Sequence, residues 1–188
     1  MYPEQFLSEM AQLPFAKQCL LGLSQAERII HFFKAFEDEW DTDQTHENML
    51  YFLDKAYEYV LQPDSLANRD LTNILVEVEK GIPDTEEYED GGTEVIYGQN
   101  AALALFCSIK FIKNNDLSSL EEAISKTVDT VDGVTLDKMG NEDYDTQPNL
   151  EQEIGLQLDF MEFINNMDIN QESVNSLRIL SRQNAIVI

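Results

Sequence analysis

The stretch Tyr97-Gly-Gln-Asn-Ala-Ala-Leu-Ala-Leu-Phe-Cys-Ser-Ile-Lys-Phe-Ile-Lys113 decides the fold class. Its apolar residues extend around most of a helical circumference, which is typical of a helix buried on nearly all sides. The apolar run from Ala101 to Ile109 is shorter than the roughly 20 residues that span a hydrocarbon core, and Lys110 follows it. We therefore expect the central helix of a globular protein and not a membrane span.

Helical periodicity continues from this segment towards both termini. On the N-terminal side, Ser24 followed by Glu27 has the spacing of a capping box, which predicts a helix start before the apolar stripe of residues 26–36. Residues 49–61, with Thr45 or Asp43 as the cap, predict a further helix, and residues 64–78 another.

On the C-terminal side, three more helices are predicted. Asp116 or Ser118 is expected to cap the first, residues 150–164 form the second, and Asn170 is expected to cap the third. No segment alternates long enough to indicate a strand. We therefore predict an all-α bundle of about seven or eight helices with short loops, forming one helical domain over residues 1–188.

The composition is strongly acidic but still suits a folded core. Asp and Glu number 36 against 12 Lys and Arg, a formal net charge of −24, while 43% of residues are hydrophobic. Such a chain is repelled by the phosphates of nucleic acids and of anionic membranes, so we expect no direct contact with either. The imbalance is uneven: residues 81–109 hold six acids and residues 139–177 hold nine, with no base in either. We expect a few acidic patches and not a uniform coat.

Targeting and cysteine patterns indicate an intracellular protein. Residues 1–7 show no basic segment followed by an apolar run, so we expect no secretory signal and a cytoplasmic location. Cys19 and Cys107 each lie inside an apolar segment, which predicts two buried free thiols.

Motifs for catalysis are missing from the sequence. It contains no nucleophile elbow, phosphate-binding loop or HExxH motif, and no Cys-rich zinc spacing. Paired carboxylates occur, but with so many acids any pair is expected by chance. We therefore favour a protein that is not an enzyme and expect no cofactor.

Two groups of residues have spacings that would suit a weak divalent-cation site. Asp43 and His46 are three residues apart, and Glu151 and Glu153 lie two apart. The same residues also suit ordinary helix starts, where carboxylates favour the positive end of the helix dipole. Both interpretations stay open.

Aromatic residues flanked on both sides by acids occur three times, more often than chance placement gives. They are Glu39-Trp40-Asp41, Glu87-Tyr88-Glu89 and Asp143-Tyr144-Asp145. An aromatic ring in an acidic field offers a stacking face to Arg and Lys. We predict that Trp40, Asp41, Tyr88, Glu89, Asp143 and Tyr144 contact a partner. The alternative is that the rings anchor solvated loops to the bundle.

Three segments resemble a known family. They are Tyr97-Gly-Gln-Asn-Ala-Ala-Leu-Ala-Leu, Leu120-Glu-Glu-Ala-Ile-Ser-Lys-Thr-Val and Glu151-Gln-Glu-Ile-Gly-Leu-Gln-Leu-Asp-Phe. In these the chain resembles the YjaG-like family of uncharacterised bacterial proteins, domain of unknown function 416. The resemblance implies an all-helical cytoplasmic protein of unestablished activity. It offers no catalytic residue, and it marks Glu151-Gln152-Glu153 and Ser125-Lys126-Thr127 as the first places to look for a shared site.

Three functional hypotheses follow. The leading one is a non-enzymatic binding or adaptor protein whose acidic surface engages a basic protein. The alternative is a carboxylate-metal enzyme or metal-regulated protein using the residues named above. The third is that the acidity is an adaptation to a salty environment.

Overall fold

The computed structural model describes residues 4–40, 42–64, 68–88, 92–139 and 147–187. Within these ranges all regular elements are helices, which confirms the all-α class. The nine helices are α1 (Glu4–Gln12), α2 (Phe15–Ile29), α3 (His31–Glu39), α4 (His46–Leu61), α5 (Asn68–Lys80), α6 (Thr93–Asn114), α7 (Leu117–Met139), α8 (Gln147–Asn166) and α9 (Gln171–Gln183).

The prediction of seven or eight helices is therefore slightly low for the described part of the chain. One apolar stripe over residues 26–36 predicted a single helix there, but α2 ends and α3 begins at Ile30. Ile30 keeps helical backbone angles (φ −59°, ψ −26°), so the stripe runs through the junction without a break in its period. The separate helix α1 was also not predicted.

The prediction of a capping box at Ser24 is wrong as well. Ser24 lies inside α2, buried, and its hydroxyl donates to the carbonyl of Leu21 at 2.7 Å instead of capping a helix start. The start lies at Phe15, after Pro14. A Ser-x-x-Glu spacing also arises on one face of a helix interior, and the sequence does not distinguish the two.

Helix α6 lies at the centre of the bundle, as the opening segment predicts. It packs against α2, α3, α4, α5 and α7. It is long and apolar enough to cross a membrane by length and composition, but 72% of that window is buried inside the protein, as in the core helix of a soluble protein. The hydrophobic core is therefore built around α6.

A glycine lets α3 approach this central helix closely. A Cβ atom added to Gly98 in α6 would lie 2.6 Å from the Cβ of Phe36 in α3. Any larger residue would push the two helices apart. The absence of a side chain at Gly98 thus lets Phe36 pack directly against α6.

Three of the predicted caps are present. The Thr45 hydroxyl accepts from the backbone N–H of Asn48 at 3.1 Å, and the Asn170 side chain accepts from that of Ser173 at 2.9 Å. Asp116 accepts from the backbone N–H of Ser118 at 3.2 Å before α7. These caps satisfy N–H groups that the first turn of a helix leaves unpaired.

The two thiols are free and buried, as predicted. Burial raises the pKa of Cys19 to about 12 and that of Cys107 to about 11. Both stay protonated near neutral pH and behave as small apolar residues, so neither is an activated nucleophile.

Candidate functional site

Two of the three predicted acid-aromatic-acid segments meet in the folded chain. Trp40 caps the end of α3 and Tyr88 follows α5, yet their rings lie 5.1 Å apart in an edge-to-face arrangement. Tyr88 also contacts Phe36 edge-on at 5.4 Å. Both rings are half-buried against the core, so they anchor their loops and still present part of their surface to solvent.

The other four residues predicted to contact a partner cannot be placed. Asp41, Glu89, Asp143 and Tyr144 lie outside the described residues. Their predicted role therefore stays a prediction.

Carboxylates gather beside the Trp40–Tyr88 pair. A hollow of about 320 Å³ is lined by Tyr88 together with exposed Asp43, Asp84 and Glu87. Lys80 also lines it, but its ammonium group is held by Glu77 at 2.7 Å. We call this hollow and the two rings the acidic-aromatic site. It can receive a cationic side chain, because both negative charge and an aromatic ring attract Lys and Arg.

The residues predicted to hold a cation are spread over different environments. Asp43 is exposed, whereas His46 is half-buried at the start of α4, where its backbone N–H donates to the Glu37 carboxylate at 3.1 Å. Desolvation lowers the pKa of His46, and the Glu37 carboxylate partly opposes this. Among the described residues, no group of three His, Cys, Asp or Glu side chains is placed to hold a metal ion.

Glu151 and Glu153 point to different surroundings although they are close in sequence. Glu151 is exposed, but Glu153 is 5% exposed and forms a two-pronged ion pair with Arg28 of α2, with contacts of 2.5 and 2.7 Å. Its carboxylate thus already has a counter-charge.

This buried pair is the main feature that sequence reasoning missed. The Arg28 guanidinium, itself 1% exposed, also donates to the Gln25 side chain at 2.7 Å and to the carbonyl of Asn184 at 3.0 Å. Four of its five N–H groups are therefore used. Arg28 joins α2, α8 and the segment after α9.

The two segments that the family resemblance singles out are linked through the same network. The side-chain amide of Gln157 donates to the Thr127 hydroxyl and to the Glu153 carboxylate, both at 2.8 Å. All three side chains are buried. Their arrangement indicates a structural junction between α7 and α8.

A second ion-pair cluster lies one residue earlier on α2. Glu27 is 3% exposed and accepts from Arg178 at 3.0 Å and from Arg182 at 2.8 Å, both on α9. Arg178 also reaches Asp54 at 2.6 Å and lies 4.7 Å from the centre of the Tyr57 ring. Burial, together with the Glu27 carboxylate, raises the pKa of Tyr57.

Weak signals for both clusters were present in the sequence. Glu27 and Arg28 stand directly between the apolar residues Ala26 and Ile29, and three of the four arginines lie in these clusters. Arginine is the cation best suited to buried two-pronged pairs. The pairing partners themselves follow only from the three-dimensional packing, since they lie more than a hundred residues away.

The chain matches the model of a family described as proteins of unknown function, DUF416, over residues 5–187. This chain belongs to the DUF416 family. A comparison with curated proteins gives no significant match.

A solved DUF416 protein has the same fold. The crystal structure of a DUF416 family protein from Shewanella baltica OS155, at 1.91 Å resolution, superposes with a TM-score of 0.80 at 15% sequence identity. The match covers 97% of this chain and 98% of that one. At this identity the likeness shows the fold alone, and it agrees with the bacterial family that the sequence resembles.

In this DUF416 protein a cleft of about 870 Å³ lies between α7, α8 and the segment after α9. Arg28 and Glu153 reach its floor, and Ile186, half-buried against the core, lines one wall. The Lys138 ammonium holds this wall by donating to the carbonyl of Val187 at 3.0 Å. Residues 184–187 therefore lie against their own chain, with Arg28 and Lys138 as the two attachment points.

Proposed function

We propose that this protein is a non-enzymatic, cytoplasmic binding or adaptor protein whose acidic surface engages a basic protein. The observation that carries the proposal is the acidic-aromatic site, where two separate loops bring Trp40 and Tyr88 into contact beside Asp43, Asp84 and Glu87. Aromatic rings supply contact area and the carboxylates supply selectivity for cations.

The distribution of the basic residues supports the same function. At least seven of the twelve basic side chains form ion pairs with carboxylates of the chain itself. They are Arg28, Lys34, Lys55, Lys80, Lys126, Arg178 and Arg182. Two more, Lys17 and Lys138, donate to backbone carbonyls. Acids outnumber bases by 36 to 12 and most of the bases are already paired within the chain, so the surface attracts a positively charged partner and accelerates its approach.

The test is affinity capture from an extract of the source organism at low salt, with the captured proteins identified by mass spectrometry. The informative variant neutralises the site with Asp43→Asn, Asp84→Asn and Glu87→Gln. Its matched control neutralises three exposed carboxylates elsewhere, Glu4→Gln, Glu121→Gln and Glu172→Gln, and so has the same net charge.

We expect the unaltered protein and the control variant to retain the same basic partner, and the site variant to lose it. Added salt of about 0.5 M should release it, because exposed charge pairs are screened at that concentration. Neutral partners, binding that ignores salt, or equal loss in both variants would each show the proposal to be wrong.

A further inference from the structure

A groove of about 540 Å³ separates α1 from α8. Its floor is apolar and consists of Leu13, Met161 and the partly exposed Leu158. Its rim carries three exposed carboxylates, Glu9, Asp159 and Glu162, with Gln12 and Asn165 between them. We call this the α1–α8 groove.

The lining of the α1–α8 groove includes no basic side chain. The ammonium group of Lys17 lies at one end, where it donates to the carbonyl of Asn165 at 2.6 Å and is held there. Among the described residues, Glu9, Asp159 and Glu162 form no ion pair with a basic side chain, so the rim carboxylates keep their negative charge available to a bound molecule.

The apolar surface continues on the other side of the carboxylates. A second hollow of about 380 Å³ shares Asp159 and Glu162 with the groove and adds Phe163 and Met167. Leu158 and Phe163 are each 37% exposed, whereas Phe160, Met161 and Ile164 of the same helix are buried. The outer face of α8 is thus an acidic ridge between two apolar hollows.

We propose that the α1–α8 groove binds an amphipathic, basic helix of a partner protein. The groove runs between two helices. On the α8 side it is lined by residues at helical spacing, 158, 161, 162 and 165, which extend over about 10 Å, or two helical turns. A helix lying there would place apolar side chains on Leu13, Leu158 and Met161. Lysines or arginines on its flanks would reach the rim carboxylates.

Charge complementarity favours this occupant over others. A second copy of the chain would bring another net charge of −24 to the same acidic rim. An anionic membrane or a nucleic acid would meet the same repulsion. The groove shares no lining residue with the acidic-aromatic site, so the inference does not depend on the function proposed above.

The test uses a fluorescent peptide of Leu and Lys, with Leu at helical spacing, and fluorescence anisotropy at low salt. A scrambled peptide of the same composition lacks the apolar stripe. Two variants probe the groove: Glu162→Lys reverses a rim charge and Leu158→Asn removes floor surface without a change in net charge. Glu121→Lys and Ile179→Asn are their matched controls at exposed positions on other helices.

We expect the striped peptide to bind, the scrambled one to bind at least about tenfold more weakly, and Glu162→Lys to weaken binding about tenfold. Leu158→Asn should weaken it about fivefold, and both controls less than twofold. The neutralised acidic-aromatic variant should bind the peptide normally.

Three results would overturn the inference: no binding of the striped peptide, equal binding of both peptides, or equal losses in the groove and control variants. Circular dichroism of each variant establishes that the fold is kept, so a loss of binding reports on the groove itself.

Discussion

The protein holds negative charge in two different ways. Around α2, the carboxylates of Glu27 and Glu153 are almost fully buried, and each faces arginine at hydrogen-bond distance. Around Trp40 and Tyr88, the carboxylates of Asp43, Asp84 and Glu87 are exposed to water. The first arrangement connects helices that are distant in sequence, and the second leaves charge for contact with other molecules.

The two arrangements differ in the free-energy cost of removing the counter-charge of a carboxylate. A buried charge that loses its counter-charge keeps its full desolvation penalty, whereas an exposed charge is compensated by water. Mutations in the two regions should therefore affect different measurements: unfolding for the buried clusters and binding for the acidic-aromatic site.

The largest effect is expected from Glu153→Gln. The substitution preserves the shape of the side chain but leaves Arg28 buried without a counter-charge, which should lower the free energy of unfolding by about 3 kcal/mol. Urea denaturation followed by circular dichroism measures the change.

Glu151→Gln is the matched control, since Glu151 lies two residues earlier and is exposed. We expect that variant to stay within about 0.5 kcal/mol of the unaltered protein. Similar free energies of unfolding for the two variants would mean that burial does not distinguish the regions.

The sequence could predict the helices but not this pairing. The all-α class, the central helix α6 and the caps at Thr45 and Asn170 follow from local periodicity and from residues three positions apart. Such signals act within one or two helical turns. Arg28 and Glu153 are brought together by the packing of α2 on α8, and no local pattern records that.

At the candidate sites, too, the sequence could predict local features but not which residues the fold brings together. The acid-aromatic-acid spacing indicated Trp40 and Tyr88 as special, but not that they contact each other, because one follows α3 and the other follows α5. The α1–α8 groove was missed because Leu158 looks like an ordinary core position in the stripe of residues 150–164, and because α1, which forms the other wall, was not predicted. Which stripe positions stay exposed depends on the neighbouring helices, and the sequence does not give their arrangement.

A smaller effect is expected where one arginine bridges both kinds of environment. Arg178 contacts Glu27, whose side chain is 1% exposed, and Asp54, whose side chain is 57% exposed. Glu27→Gln should lower the free energy of unfolding by about 2 kcal/mol, because it leaves Arg178 and Arg182 facing a neutral group in a partly buried site. Asp54→Asn should cost less than about 0.5 kcal/mol. Urea denaturation of both variants measures the ratio, and equal losses would contradict the distinction.

The last prediction concerns salt, which should raise the free energy of unfolding slightly without changing the loss caused by Glu153→Gln. A net charge of −24 repels itself, so raising NaCl from about 20 mM to about 500 mM should increase the free energy of unfolding by about 1 kcal/mol. The loss caused by Glu153→Gln should stay nearly the same at both concentrations, because the Arg28 and Glu153 side chains are only 1% and 4% exposed and salt screens buried pairs much less than exposed ones. Urea denaturation of both proteins at the two concentrations provides the measurement. If the loss shrinks as salt is added, ions screen the pair, and the separation between buried and exposed charge does not hold.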